Sequence, residues 1–148
     1  MAILPIVIGP DNPILRKKTK RMATVTKAVK QLVKDMVETM HEANGVGLAA
    51  PQVARTERVC IAVIGGKIVP LINPTITSRS KETDIDQEGC LSLPNVWLNV
   101  VRPVGITLTF LDLKGKRQER KLVGFDARVV QHEVDHLEGV LIVDYPQM

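Results

Sequence analysis

The segment that most limits what this chain can fold into is Gln131-His132-Glu133-Val134-Asp135-His136, an H-E-x-x-H pattern inside an apolar, helix-like run. On an α-helix, positions i and i+4 share one face, so His132 and His136 can aim both imidazoles at a single ion. Glu133 then stands beside the ligands without being one of them. That position lets it take a proton from a water whose pKa the ion lowers and pass it to a leaving group, so the pattern predicts hydrolysis. The chain has three histidines, and only His41 lies outside the pattern. The bland alternative is a pair of solvated side chains on a helix.

The third ligand separates the types of metallohydrolase. In the extended metzincin pattern Gly139 fits the glycine position, but the third histidine would fall on Ile142, so that class is excluded. Twelve residues follow His136, which leaves little room for a downstream carboxylate ligand. The missing ligand is therefore expected upstream. Of the two cysteines, Cys60 lies in the β-like run Val59-Cys60-Ile61-Ala62-Val63-Ile64 and reads as a small buried thiol. Cys90, in Asp86-Gln87-Glu88-Gly89-Cys90-Leu91-Ser92, sits among polar groups and is the better ligand candidate.

At 148 residues the chain is expected to form one domain with a single sizeable core. Aromatic residues are only 3%, so aliphatic side chains must fill that core, and a base-stacking nucleic-acid surface is not expected. The net charge of +4 owes much to Arg16-Lys17-Lys18, Lys20 and Arg21, read as a solvated basic face or as a contact to RNA or a ribosomal surface. No apolar stretch approaches the length of a membrane span of about 18 residues. Met1 to Gly9 is too short, and lacks the charged start, for a signal peptide. A cytoplasmic location is expected, or an organelle if a transit peptide has been removed.

The organisation reads as α+β: antiparallel strands and hairpins packed around a C-terminal metal-binding helix, with a second long helix nearer the N-terminus. Asp11-Asn12-Pro13 starts a short helix over 14–18. Between Thr26 and Ala43, the apolar residues Val29, Leu32, Val33, Met36, Val37 and Met40 follow one helical stripe that Asn44-Gly45 ends. His41, one position past the stripe, is expected at the surface. Strands are expected at 59–64 and 67–72 around a Gly65-Gly66 turn, and at 104–111 and 117–123 around a second turn. Pro70 and Pro74 are expected at strand edges or ends, and 75–86 partly extended. Asp126 is read as the N-cap of the helix over 127–138, Gly139 as its end, and 140–143 as a last strand.

One further run, Gly45-Val46-Gly47-Leu48-Ala49-Ala50-Pro51-Gln52, carries almost no secondary-structure signal. It reads either as a tight loop or as a place where Gly45 and Gly47 let backbone approach a ligand while Gln52 offers an amide. It is not a phosphate loop, because the Gly-Lys-Ser/Thr ending is missing. Together with Glu88-Gly89-Cys90-Leu91-Ser92 and Gln131-His132-Glu133-Val134-Asp135-His136, in this order and at these spacings, it resembles the three signature motifs of peptide deformylases. The resemblance extends over nearly the whole chain.

That resemblance implies a hydrolase that removes the formyl group from the N-terminal formylmethionine of new polypeptides. Cys90, His132 and His136 would hold one divalent metal ion, commonly Fe(II) in the cell, with Zn, Ni or Co able to replace it in a purified sample. A water activated there would attack the formyl carbon, with Glu133 as general base and acid. The Gln52 side chain and the Leu91 backbone N–H would stabilise the oxyanion. Val46, Phe125 and Val129 are candidates for a methionine pocket, though all three could simply be core. The substrate backbone would run along Val46-Gly47 and Gly89 as an added strand. Trp97 is either a partly buried ring or a contact to substrate at the rim. Glu88 and Arg102 read either as a pair that steadies the Cys90 loop, with Asp135 beside a ligand imidazole or Arg128, or as exposed or unrelated ion pairs.

Expected partners are formylmethionyl polypeptides, nascent or released, with no membrane and no sequence-specific nucleic acid. Many bacterial members continue into a C-terminal helix, whereas this sequence stops at Met148. If that extension helps docking on the ribosome, this chain must dock otherwise or act on released chains. Two rivals remain. A general metallopeptidase is opposed by the lack of a downstream ligand, and a structural metal site by the usual need for four protein ligands.

Overall fold

A computed structural model describes residues 2–147. Two helices pack on opposite faces of one sheet. Helix α1 is a single turn, Pro13–Arg16, with Asn12 as N-cap, and α2 spans Lys27–Glu42 with Thr26 as N-cap. Strands β1 (Gly47–Ala49), β2 (Val59–Ile64) and β3 (Lys67–Arg79) are followed by β4 (Thr83–Cys90) and β5 (Leu93–Pro103). Then come β6 (Gly105–Leu111), β7 (Arg117–Val123) and α3 (Gly124–Leu137). Five strands form an antiparallel sheet in the order β1-β2-β3-β6-β7, while β4 and β5 form a separate two-stranded ribbon.

The near-continuous apolar run of β2 reflects burial on both faces. Cys60, Ala62 and Ile64 join the core under α3, with Leu71, Leu108, Val130 and Leu137. Their alternates, Val59 and Ile61, pack with the Val29, Leu32, Met36 and Met40 stripe of α2. A third, smaller cluster joins Leu93 and Val100 of the ribbon to Ile142 near the C-terminus, with Cys90 and Tyr145 against it. The Thr26 hydroxyl accepts from the Val29 N–H at 3.2 Å, and Asn44 turns the chain out of α2 with φ 56°. His41 is exposed, as expected.

Several expectations need correcting. Residues 45–52 are not a plain loop: Gly47–Ala49 is the edge strand β1, and Ala50–Val53 form a 3-10 turn. Pro70 lies inside β3 opposite Ile61, where β3 pairs only with β2, since β6 joins from Ile72 onward. Pro74 occupies a bulge between Ile72 and Thr75, where Asn73 has φ 53° and exchanges two 2.7 Å hydrogen bonds with the Met22 backbone. Asp126 is not an N-cap; the helix starts at Gly124, and the Asp126 carboxylate accepts from the Gly65 N–H across the sheet at 3.1 Å. Residues 140–143 are not a strand. The Asp144 carboxylate accepts from the Leu141 N–H at 2.9 Å and closes a 3-10 turn over Ile142–Asp144, a local bond that competes with extended pairing.

Candidate metal centre and active site

Helix α3 brings His132 and His136 together on one face, with ring centroids 5.0 Å apart. Cys90 arrives at the end of β4, where the ribbon register slips between Gly89 and Cys90. Its Sγ lies 3.3 Å from His136 Nε2, and the ligand atoms of Cys90, His132 and His136 all lie within 4.8 Å of one another. Metal–sulfur and metal–nitrogen bonds of about 2.0–2.3 Å in a tetrahedral site put neighbouring ligand atoms about 3.3–3.6 Å apart. The donor set therefore fits an ion after small adjustments. Among the described residues no other trio of His, Cys, Asp or Glu side chains converges in this way.

His132 Nδ1 meets Glu88 Oε1 at 3.0 Å, which fixes the ring and leaves Nε2 as the ligand atom. Burial alone would lower the pKa of His132, but Cys90 and Glu88, with the charge of Glu133, outweigh it and raise it to about 10. The same negative neighbours favour a bound cation. Burial pushes the His136 imidazole well down, so it stays neutral and able to coordinate. Cys60 is fully buried, as expected, and burial pushes its thiol well up.

Glu88 is the hub behind the ligands. Arg102 grips it with Nε to Oε2 at 2.7 Å and Nη2 to Oε1 at 2.9 Å, while Arg128 Nη1 donates to Oε2 at 2.6 Å. Burial would raise this carboxyl, yet the Arg102 and His132 hydrogen bonds prevail and hold it at about 2. The expected Glu88–Arg102 pair is thus present. Asp135 hydrogen-bonds neither Arg128 nor a ligand imidazole; it accepts from Arg102 at 2.9 Å and from the Tyr145 hydroxyl at 2.6 Å.

Glu133 is 4% exposed, and its Oε1 has no hydrogen-bond partner among the described residues. Burial raises its pKa to about 7 against the opposing pull of His132 and Arg102. Gly47 makes room for it: a Cβ there would stand 2.5 Å from Glu133 Oε2. The Gln52 amide is set by the 3-10 turn that follows β1. Its Oε1 accepts from the Ala49 N–H at 3.0 Å, and its Nε2 donates to Ser92 Oγ at 3.1 Å while lying 3.7 Å from Cys90 Sγ. Leu91 follows Cys90 directly at the tip of the β4–β5 connection.

These groups open into a cleft of about 470 Å³ whose lining includes Val46, Gly47, Gly89, Leu91, Phe125 and Val129. β1 is the end strand of its sheet and β4 belongs to a two-stranded ribbon, so residues from two strand edges flank one cleft. Val46 and Phe125 are exposed there, at 46% and 62%, whereas Val129 is buried and serves both core and cleft. Trp97 is not partly buried. It is 65% exposed at the rim, its ring lying over Gly89, where an added Cβ would come within 2.4 Å.

Two participants escaped the sequence reading, and Arg128 entered it only as an alternative neighbour of Asp135. Arg128 sits one helical turn before His132 on α3, and that i to i+4 spacing could have singled it out as a neighbour of the ligands. Ser92 lies inside the Cys90 motif, but nothing local shows that its hydroxyl receives Gln52. Tyr145 reaches Asp135 only through the tertiary fold.

Comparison with known proteins agrees with this geometry. The polypeptide deformylase family model matches residues 3–148. A peptide deformylase of Thermotoga neapolitana is 42% identical over 133 residues, covering 90% of this chain and 81% of its own. Peptide deformylase 2 of Prochlorococcus marinus is 46% identical over 138 residues, covering 90% and 69%. The crystal structure of the Thermotoga maritima peptide deformylase superposes with a TM-score of 0.96 at 38% identity, covering 100% of both chains. One from Acinetobacter baumannii, with Met-Ala-Ser bound, superposes with 0.94 at 35% identity, covering 98% and 99%. With the motifs, the fold and the relatives in agreement over nearly its whole length, the chain belongs to the polypeptide deformylase family.

Proposed function

We propose that Cys90, His132 and His136 hold the single divalent ion with which this metal-dependent deformylase removes the formyl group from the N-terminal methionine of nascent polypeptides. The observation that carries this reading is the convergence of one cysteine sulfur and two imidazoles beside a buried carboxylate whose Oε1 lacks a hydrogen-bond partner among the described residues. Fe(II) is the proposed ion in the cell, with Zn, Ni or Co able to take its place in this soft and borderline donor set. When bound, such an ion supplies Lewis acidity and lowers the pKa of a water toward neutrality.

The chain's own groups divide the remaining work. Glu133 receives a proton from the attacking water and returns it to the departing amine nitrogen. Its burial, against the pull of His132 and Arg102, keeps its affinity for that proton near what work at neutral pH needs. The Gln52 Nε2 and the Leu91 N–H donate to the formyl oxygen as it gains charge, and removal of one such donor costs about 2.7–4 kcal/mol in comparable sites. Val46, Phe125 and Val129 receive the methionine side chain. The substrate backbone pairs with Val46-Gly47 and Gly89, with Trp97 at the rim, a mode that reads main chain and so accepts many sequences after the first residue. The relative with Met-Ala-Ser bound supports a peptide beginning with methionine as the occupant.

The chain works as one catalytic domain over 1–148 in this reading, in the cytoplasm where formylated chains are made. Among the described residues no helix is long and apolar enough to cross a membrane. Docking on the ribosome would fall to exposed basic side chains such as Lys17, Lys18, Lys20 and Arg21.

The test is release of formate from formyl-Met-Ala-Ser by protein purified without oxygen and loaded with Fe(II) or Ni(II). The parent releases formate, and Glu133→Gln, with metal still bound, loses about 10²–10⁴-fold in rate. No release from the loaded parent, or an unimpaired variant, contradicts the reading.

A further inference from the structure

The bonds behind His132 do not stop at Glu88. Arg102, 3% exposed, uses Nε and Nη2 on Glu88 and turns Nη1 the other way, to Asp135 Oδ2 at 2.9 Å and Tyr145 Oη at 3.1 Å. The Tyr145 hydroxyl donates to the same Asp135 oxygen at 2.6 Å, and the Arg102 guanidinium carbon lies 5.0 Å from the centre of the Tyr145 ring. A guanidinium is a rigid plane, so groups that hold one edge and one face also set the angle at which its other edge meets Glu88. Glu88 Oε1 in turn holds His132 Nδ1 at 3.0 Å. Tyr145 itself does not line the cleft. It follows the turn over Ile142–Asp144 and packs against the Leu93, Val100 and Ile142 cluster under the ribbon.

We propose that Tyr145 is a positioning residue for the metal site: it fixes the plane of Arg102, and through Arg102 and Glu88 the ring angle of His132. The segment after α3 thereby sets how firmly an ion is held, although none of its atoms reaches that ion. The inference rests on the assignment of Cys90, His132 and His136 as the ligands. Partners directly behind a ligand histidine are typically worth 10–100-fold in metal affinity. Tyr145 lies two bonds further back, and its ring and hydroxyl act separately.

The experiment uses the full chain loaded with Co(II), whose d–d bands report ligand geometry and whose thiolate-to-cobalt band reports Cys90. Release of cobalt to an excess of chelator is followed at those bands. Tyr145→Leu, which loses both stacking and hydroxyl, is expected to shift the d–d bands and release cobalt about tenfold faster, the thiolate band remaining. Tyr145→Phe, which keeps the ring and folds with the least disturbance, is expected to fall between, at about threefold. Val33→Ala, in the α2 core, loosens the fold without touching the relay and is expected to leave bands and release rate unchanged. Parent-like bands and release in both Tyr145 variants would overturn the proposal, as would an equal change in Val33→Ala. A parent lacking the thiolate band would overturn the ligand assignment as well.

Discussion

In the five-stranded sheet, β2 sends Cys60, Ala62 and Ile64 toward α3 and Val59 and Ile61 toward α2, so both of its faces meet apolar side chains. The β4–β5 ribbon differs: beside apolar Val100 its buried face carries the charged pair Glu88 and Arg102, and Arg128 of α3 meets them there. One region is held by area removed from water, which tolerates adjustment. The other is held by charged hydrogen bonds that tolerate almost none, because each buried charge depends on a particular partner. The two regions meet at the site. Helix α3 contributes two imidazoles from the sheet side and the ribbon contributes the cysteine sulfur.

The contrast predicts different failures. The largest effect is expected from Arg102→Met, which takes from Glu88 and Asp135 their shared cation. Loss of one partner of a buried pair costs about 3–5 kcal/mol, and here it should also weaken metal binding. Urea melts together with metal content measure both, and an unchanged metal content would break the link between charge network and site. Met36→Ala, in the fully buried α2 stripe, is expected to cost a similar ~2–5 kcal/mol while leaving metal binding intact. Comparable metal loss in that variant would show that the two regions are not separable.

Gly47→Ala tests the seam between them. A Cβ at that position would stand 2.5 Å from Glu133 Oε2, so the carboxylate must shift. A displacement of about 1 Å in a catalytic group can cost about 10²-fold, and turnover should fall by that order with metal content unchanged. The pH dependence of stability sharpens the same point. Burial raises the Glu133 pKa from 4.5 to about 7, so the folded state binds this proton more tightly than the unfolded chain. Its contribution is greatest below pH 4.5 and is lost as pH rises toward 7. In metal-free protein, Glu133→Gln should remove that decline, as pH-dependent denaturant melts would show. The smallest effect is expected at a helix end: Thr26→Ala, which removes the α2 cap, should cost about 1 kcal/mol and change neither metal binding nor turnover.

Legibility in the sequence followed the same division. The α2 stripe from Val29 to Met40 and the hairpin around Gly65-Gly66 repeat a local period, and both stand where periodicity placed them. The ligand trio was legible because two imidazoles share one helical turn and the cysteine motif had no rival. The ribbon was not, since Thr83 to Cys90 carries an acid at every second position from Asp84 to Glu88, and its reason for being strand is Arg102 and Arg128 far along the chain. Residues 140–143 look like a strand by composition, but the Asp144 carboxylate accepts from the Leu141 N–H while the Asp144 N–H donates to the Leu141 carbonyl, which closes a 3-10 turn over Ile142–Asp144 instead. Asp126, Asp135 and Tyr145 likewise found partners across the fold that no local spacing specifies.

The central claim is that the ribbon supplies one sulfur and the helix two nitrogens to a single ion. X-ray absorption at the nickel edge of the nickel-loaded protein measures this directly. The account predicts one sulfur scatterer and two imidazoles, with the sulfur lost in Cys90→Ser and the imidazoles retained. A parent spectrum without sulfur, or one unchanged by Cys90→Ser, would contradict it.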